Sequence, residues 1–155
     1  MLGSNSTFFT QTPRVLLLKR RDVLRVLLVK GYDSQEAAIY LKAYDYFCNR
    51  TVEYDGATIV KDLCDIIGLD LDAMLHDYHY IVYNAGASLR SKWLADYMYC
   101  KGNERKNKGL YNAYSRFVGL CIISVFFVPY RYFEKGRISN QQKENLVNDY
   151  KTLIR

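Results

Sequence analysis

The chain has 155 residues, of which 50% are apolar or aromatic and 25% are charged. This balance excludes a disordered chain and fits one globular domain with its own core. The net charge of +6 is uneven: residues 1–30 carry six basic and one acidic group, residues 31–100 five and eleven, and residues 101–155 eleven and four. Solvated faces explain such runs most simply, but the basic ends also suit anionic lipid or nucleic acid, and the acidic middle suits a cation.

The first predicted helix covers about residues 13–30. Thr12 followed by Pro13 is typical of an N-cap and a first helical residue, and Gly31 is typical of the residue just after a helix. The segment is also rich in Val and Leu, so a pair of strands is the alternative.

The second predicted helix covers about residues 34–49. Asp33 and Glu36 have the spacing of a capping box, in which each side chain binds the other residue's backbone N–H. Ala37, Leu41, Tyr44 and Cys48 then recur at helical spacing. This pattern indicates a helix with one apolar face.

The middle of the chain predicts a short helix and then a pair of longer ones, at about 71–83 and 89–101. The break between the longer helices lies at residues 84–88, which include Gly86. The predicted caps and stops are Thr58 and Gly68 for the short helix, Asp70 for the second, and Ser88 with Gly102 for the third.

Residues 109–155 form a predicted helical flank after a charged loop at 102–108. An apolar helix over 109–128 is expected to be buried and to end at Pro129, and its apolar run is too short for the roughly 20 residues of a bilayer crossing. A membrane-surface contact through the aromatic residues of 126–133 is the alternative. A second capping box, Ser139 with Gln142, predicts a polar helix over about 140–153.

Together these elements predict an all-α fold. We expect a single domain, residues 1–155, of about six helices. Its centre would be an antiparallel hairpin of the helices at 71–83 and 89–101, flanked by helical residues 1–50 and 109–155.

Four cysteines, Cys48, Cys64, Cys100 and Cys121, lie far apart, with no C-x-x-C pair and no metal-ligand spacing. We expect buried free thiols. Residues 1–11 lack the charged and apolar pattern of a secretory signal. Both features favour a reducing, cytoplasmic compartment.

One group of residues in the predicted hairpin has the pattern of a catalytic site. His76 and Tyr80 are four residues apart and share a helix face, while Asp77 is turned by about 100°. Asp96 follows Gly86 by ten residues, as His76 precedes it by ten. In an antiparallel hairpin both side chains would stand roughly 15 Å from the turn, at the same level.

A carboxylate beside an imidazole suggests general-base chemistry. Asp96 would fix the tautomer of His76, so that the other ring nitrogen accepts a proton from water. A buried His–Asp hydrogen bond without chemistry is the simpler alternative. In a third reading, His76, His79 and a carboxylate bind a transition metal.

The combined motifs resemble the core of secretory-type phospholipases A(2), which cleave the sn-2 ester of phospholipids. The motifs are His76-Asp77-x-x-Tyr80, Ala95-Asp96, and Tyr54-x-Gly56-x-Thr58 about twenty residues upstream. The form most similar is the disulfide-free one of parvoviral capsid proteins, and small phage proteins share the H-D-x-x-Y and A-D motifs. The resemblance covers about residues 54–100.

The resemblance implies a role for each matching residue. His76 would be the general base, Asp96 its orienting partner, and Tyr80 a hydrogen-bond donor to that carboxylate. Calcium would be the cofactor. Its implied ligands are Asp77 and the backbone carbonyls of the Tyr54, Gly56 and Thr58 turn. Thr58 stands where the family has a second glycine, and a non-glycine residue disfavours positive φ at that position.

The sequence therefore leaves three alternative hypotheses for the function. The first is a calcium-assisted phospholipid hydrolase, cytoplasmic or virion-associated, acting at a membrane surface. The second is a non-catalytic virion structural or interaction protein that binds other virion or cellular proteins. The third is a nucleic-acid-binding protein, since residues 31–41 look like the first helix of a helix-turn-helix and the chain ends are basic.

Overall fold

A computed structural model describes residues 8–50, 68–105 and 110–155. Within these ranges the chain forms six α-helices and two short 3-10 helices, with no strand. The all-α prediction is confirmed. The α-helices are α1 (Pro13–Val29), α2 (Ser34–Cys48), α3 (Leu71–Val82), α4 (Leu89–Arg105), α5 (Leu110–Lys135) and α6 (Asn140–Leu153).

Contacts along the chain gather in two compact units, Met1–Asp77 and Tyr78–Arg155. The division falls inside α3, so this helix contributes its first turns to one unit and its last turn to the other. The predicted single domain over 1–155 stays a prediction, and each unit is described by itself.

Helix α1 begins and ends where its sequence signals predict. Pro13 is the first helical residue, although the side chain of Thr12 makes no capping hydrogen bond. Gly31 has a φ of +81°, and its N–H donates to the Leu28 carbonyl at 3.0 Å. The Tyr32 N–H donates to the Leu27 carbonyl at 3.1 Å, which completes a Schellman ending. The alternative of two strands is therefore wrong for this segment.

The capping box of α2 is formed in full. The Asp33 carboxylate accepts the Glu36 N–H at 2.9 Å, and the Glu36 carboxylate accepts the Asp33 N–H at 2.8 Å. Two of the orphan N–H groups at this helix start are thus satisfied without water. The helix ends at Cys48, within a residue of the prediction.

The core of the first unit lies between α1 and α2. Tyr44 is fully buried, packs on Phe9 with ring centroids 5.5 Å apart, and donates a hydrogen bond to the Leu16 carbonyl at 2.8 Å. Tyr40, also buried, donates to the Asp72 carboxylate at 2.6 Å. This bond attaches the first turn of α3, which the Asp70 side chain caps as predicted, to α2.

In the second unit, the last residues of α3 are followed by the turn between α3 and α4. Asn84 takes a left-handed conformation with a φ of +50°, and its side-chain N–H donates to the Gly136 carbonyl at 3.1 Å. Ser88 is extended, and its hydroxyl accepts the Ser91 N–H at 3.2 Å. Ser88 is therefore the cap of α4 that the sequence predicted.

Helix α4 continues beyond its predicted end. It passes through Gly102 and ends at Arg105, so the predicted loop at 102–108 is wrong for residues 102–105. Asn103 is fully buried in this extra turn, and its side-chain N–H donates to the Tyr99 carbonyl at 2.9 Å. A glycine costs a helix only about 1 kcal/mol, so burial of this turn outweighs the stop signal.

Helix α5 also passes its predicted end, because Pro129 lies inside it. The halves Ala113–Ser124 and Phe127–Lys135 meet at 62°. Proline has no N–H to give to the carbonyl four residues earlier and its ring clashes there, which explains a bend before Pro129.

No single helix in the described part of the chain is long and apolar enough to span a membrane. The two bent halves of α5, taken together, have the length and composition of a membrane span.

The predicted burial of α5 is only partly right. Ala113 is fully buried, but Val118 and Ile122 on the same helix are more than half exposed. Aromatic side chains from α4, α5 and α6 pack together: Trp93 stacks on Tyr97 at 4.9 Å, and both contact Phe117 and Tyr150.

Helix α6 begins at the predicted capping box, with bonds of 2.9 and 3.1 Å between Ser139 and Gln142.

Gly86, in the turn between α3 and α4, is a point of close approach. A Cβ atom there would lie 2.7 Å from the Phe127 ring, 3.2 Å from the Tyr80 ring and 3.3 Å from the Arg131 side chain. Arg131 also donates to the Tyr80 carbonyl at 3.1 Å, so these neighbours are held in place. Only glycine fits this position without displacement of α5 side chains.

We expect Gly86→Ala to lower the free energy of unfolding by about 1–3 kcal/mol, the usual cost of overpacking. Gly119→Ala is the matched control, since a Cβ at this α5 position meets nothing within 4 Å. It should be neutral or stabilising by about 0.5–1 kcal/mol, because alanine favours a helix. Urea unfolding followed by circular dichroism measures both. Equal effects of the two substitutions would contradict the close approach.

Candidate functional site

The predicted site residues fall in both compact units. His76 and Asp77 end the first unit, whereas Tyr80 and Asp96 belong to the second. The His76 side chain is 15% exposed, and its Nδ1 lies 3.9 Å from Asp77 Oδ1, beyond hydrogen-bond distance. The pairing of His76 with Asp96 would join the two units and stays a prediction.

Asp96 and Tyr80 are joined directly within the second unit. Asp96 is 1% exposed, and the Tyr80 hydroxyl donates to its Oδ1 at 2.9 Å. The hydrogen bond that the family resemblance implies is thus present, because residues 80 and 96 lie at equal distances from Ser88 at the start of α4. The Ala95-Asp96 motif places this carboxylate on the buried face of α4.

Lys92 is a third residue at this site, beside Tyr80 and Asp96, and it belongs to none of the sequence motifs. Its Nζ donates to Asp96 Oδ2 and to the Leu120 carbonyl, the latter at 2.9 Å. Both side chains of the ion pair are almost completely buried. The spacing of four residues on one helix was the available signal, since side chains at i and i+4 are neighbours. We call Lys92, Asp96 and Tyr80 the Asp96 cluster.

The Asp96 cluster sets the chemistry of its surroundings. Two donors, one of them cationic, reach the Asp96 carboxylate, and hydrogen bonds of this kind favour the ionised form of a carboxyl group. Burial raises the pKa of the nearby Cys121 thiol, the Asp96 charge raises it further, and Lys92 opposes that rise. Cys121 is therefore held as a thiol, not as a nucleophilic thiolate.

Three of the four cysteines lie among the described residues. Cys48, Cys100 and Cys121 are free thiols, and Cys64 lies outside the described residues. The predicted burial is right for Cys100, which is buried, but wrong for Cys48 and Cys121, which are half-buried.

A second pair in this unit joins a buried histidine to a half-buried carboxylate. His79 is fully buried, and its Nε2 lies 3.1 Å from Asp149 Oδ2. Tyr83 stacks on the His79 ring, with centroids 5.6 Å apart. Burial, and then the Asp149 charge, raises the pKa of Tyr83 to about 12. His79 thus has a packed structural environment, which the sequence analysis missed because Asp149 is seventy residues away.

Within residues 8–50, 68–105 and 110–155 no three His, Cys, Asp or Glu side chains come together to hold a metal ion. This finding gives no support to a transition-metal site with His76 and His79. Of the implied calcium ligands, Asp77 lies among the described residues, and a carboxylate has the hard oxygens that calcium prefers. The other three, Tyr54, Gly56 and Thr58, lie outside the described residues.

Comparisons with protein-family models, with curated proteins and with solved structures find no match for this chain. The functional argument therefore depends on the motif residues themselves and on the contacts that they make.

We expect Lys92→Met to destabilise the protein by about 3–5 kcal/mol, because it leaves the Asp96 charge buried without its cation. Adding Asp96→Asn removes that charge, so the double variant should recover a large part of the loss. Lys101→Met is the matched control. It breaks the Lys101–Glu104 pair, whose side chains are about one-third exposed, and should cost less than about 1 kcal/mol. Strict additivity of Lys92→Met and Asp96→Asn in a double-mutant cycle would contradict a coupled pair.

Proposed function

We propose that this chain is a phospholipase A(2)-like hydrolase that cleaves phospholipid esters, associated with a virus or phage. The observation that supports the proposal is the 2.9 Å hydrogen bond from Tyr80 to the buried Asp96 carboxylate. A tyrosine four residues after the motif histidine is expected to make this contact in the resembled family. The bond joins two motifs, H-D-x-x-Y and A-D, that are sixteen residues apart in the sequence.

His76 is the proposed general base. Its side chain is half-buried, which leaves part of the ring accessible to water. The ring accepts a proton from water as the water oxygen attacks the ester carbonyl. The proton is then returned to the departing alcohol oxygen, and the carbon–oxygen bond of the ester breaks. Asp96 is the proposed positioning residue that fixes the tautomer of His76.

Calcium is the proposed cofactor. Asp77 would supply a carboxylate ligand, and the backbone carbonyls of Tyr54, Gly56 and Thr58 the others. The cation, when bound, supplies positive charge to the developing oxyanion of the ester. Asp77 is 19% exposed and follows His76 in the same helix, where its side chain is turned by about 100° from that of the proposed base.

The Asp96 cluster favours a second candidate, a non-catalytic virion structural or protein-interaction protein. Lys92 already provides the cation that a buried Asp96 needs. Asp96 then has less electrostatic stabilisation to offer to a protonated His76. In this candidate the hairpin is retained for stability, and its partners are other virion or cellular proteins.

Hydrolysis of mixed phospholipid vesicles with added calcium separates the two candidates. We expect His76→Gln to abolish fatty-acid release, because an amide cannot accept the water proton. Asp77→Asn should reduce release through weaker calcium binding, so more calcium restores part of it. Asp96→Asn should weaken but not abolish turnover.

The matched control is Glu144→Gln, which removes an exposed carboxylate from α6 and should leave hydrolysis unchanged. Circular dichroism of every variant separates lost chemistry from lost fold. A folded wild-type protein that releases no fatty acid at saturating calcium would overturn the hydrolase and favour the non-catalytic candidate.

A further inference from the structure

The solvent-facing side of α1 combines arginines with exposed aliphatic residues. Leu17, Leu18, Leu28 and Val29 are 63, 55, 52 and 81% exposed. Three arginines on the same side are exposed as well: Arg14, Arg21 and Arg25. We call these seven residues the α1 face. The opposite side of the helix is buried in the first unit through Leu16, Val23 and Leu27.

The helical repeat orders the α1 face into rows. At about 100° per residue, the three arginines form a central row along the helix. Leu17 and Leu28 lie on one side of this row, and Leu18 and Val29 on the other. The face extends over roughly 22 Å at 1.5 Å per residue. Asp22 lies at its edge and is the one acidic residue of α1.

We propose that the α1 face binds the surface of an anionic phospholipid bilayer. Its charge is complementary to lipid phosphates and to acidic headgroups, and none of the three arginines has an ion-pair partner among the described residues. Arginine binds phosphate through two parallel N–H donors, and its aliphatic stem packs along apolar surface. The leucines and Val29 enter the boundary between headgroups and acyl chains.

The aliphatic rows distinguish a bilayer from other anionic partners. Phosphate contacts to nucleic acid use the arginines but gain little from exposed leucines, because the affinity is electrostatic. A helix surface is convex, so a protein partner would need a matching groove, whereas a fluid bilayer adapts to it. The face lies outside residues 54–100, so this binding is separate from the proposed catalytic residues.

Flotation with vesicles of phosphatidylcholine and phosphatidylserine tests the proposal on the full chain. The double variant Arg21→Glu/Arg25→Glu should lose at least about tenfold in binding, since each basic residue near the surface contributes measurably. Its matched control, Lys143→Glu/Lys151→Glu, makes the same change in charge on exposed positions of α6 and should bind as wild type. Pure phosphatidylcholine vesicles should bind the wild type weakly.

The apolar contribution is tested by Leu18→Ser/Val29→Ser. At high salt the charge contribution is screened, so the vesicle binding that remains is apolar. We expect this variant to lose that remaining binding. Vesicle binding that is unchanged in this variant, with DNA binding lost in Arg21→Glu/Arg25→Glu, would overturn the proposal in favour of nucleic acid. Equal loss in the α6 control would overturn it too, because net charge alone would then explain binding. His76→Gln should bind vesicles normally, so failure of hydrolysis and failure of docking are distinguishable.

Discussion

The buried carboxylate of Asp96 is the interaction on which the second unit depends. A carboxylate removed from water is costly unless donors surround it, and here Tyr80 and Lys92 supply them. Tyr80 brings the last turn of α3 against α4, and Lys92 reaches the Leu120 carbonyl of α5. One carboxyl group and its two donors therefore connect three helices, and the fold and the candidate chemistry share it.

Asp96 therefore has two roles that compete, since it stabilises the helices and is also proposed to orient His76. A fully paired Asp96 stabilises the helices well, but its charge is divided between a tyrosine, a lysine and any imidazole. A hydrolase needs that carboxylate to orient His76, whereas an interaction protein needs it only as a structural bond. Both uses are compatible with the Tyr80 hydrogen bond, and only the behaviour of His76 separates them.

Local sequence signals predicted much of the fold because the residues at helix ends satisfy backbone groups directly. The capping boxes at Asp33 and Ser139 and the positive φ of Gly31 need no long-range information. The same logic failed at Gly102 and Pro129, where α4 and α5 continue. Burial of Asn103 and packing around a bent α5 outweigh the local costs, which are about 1 kcal/mol for the glycine and about 3 kcal/mol for the proline. Such packing is not visible in a linear pattern.

The candidate site was predictable to the extent that its residues lie on two helices that the sequence indicates, α3 and α4. The family resemblance implied the hydrogen bond between Tyr80 and Asp96, which is present. Equal spacing about Gly86 predicted a pairing of His76 with Asp96, which stays a prediction, and the four-residue spacing from Lys92 to Asp96 was available but unused. The partner of His79 could not be predicted, since Asp149 comes from α6, seventy residues away. The sequence motifs gave a role to His76 and no partner to His79, which the structure places against Asp149.

The central proposal is that Asp96 orients the imidazole of His76. NMR of the His76 ring nitrogens tests it most directly. The spectrum of the wild-type protein should show a single fixed tautomer for His76. Asp96→Asn should change the His76 ring-nitrogen shifts and leave those of His79, which contacts Asp149, unchanged. His76 signals that are identical in the wild type and in a folded Asp96→Asn variant would contradict the account.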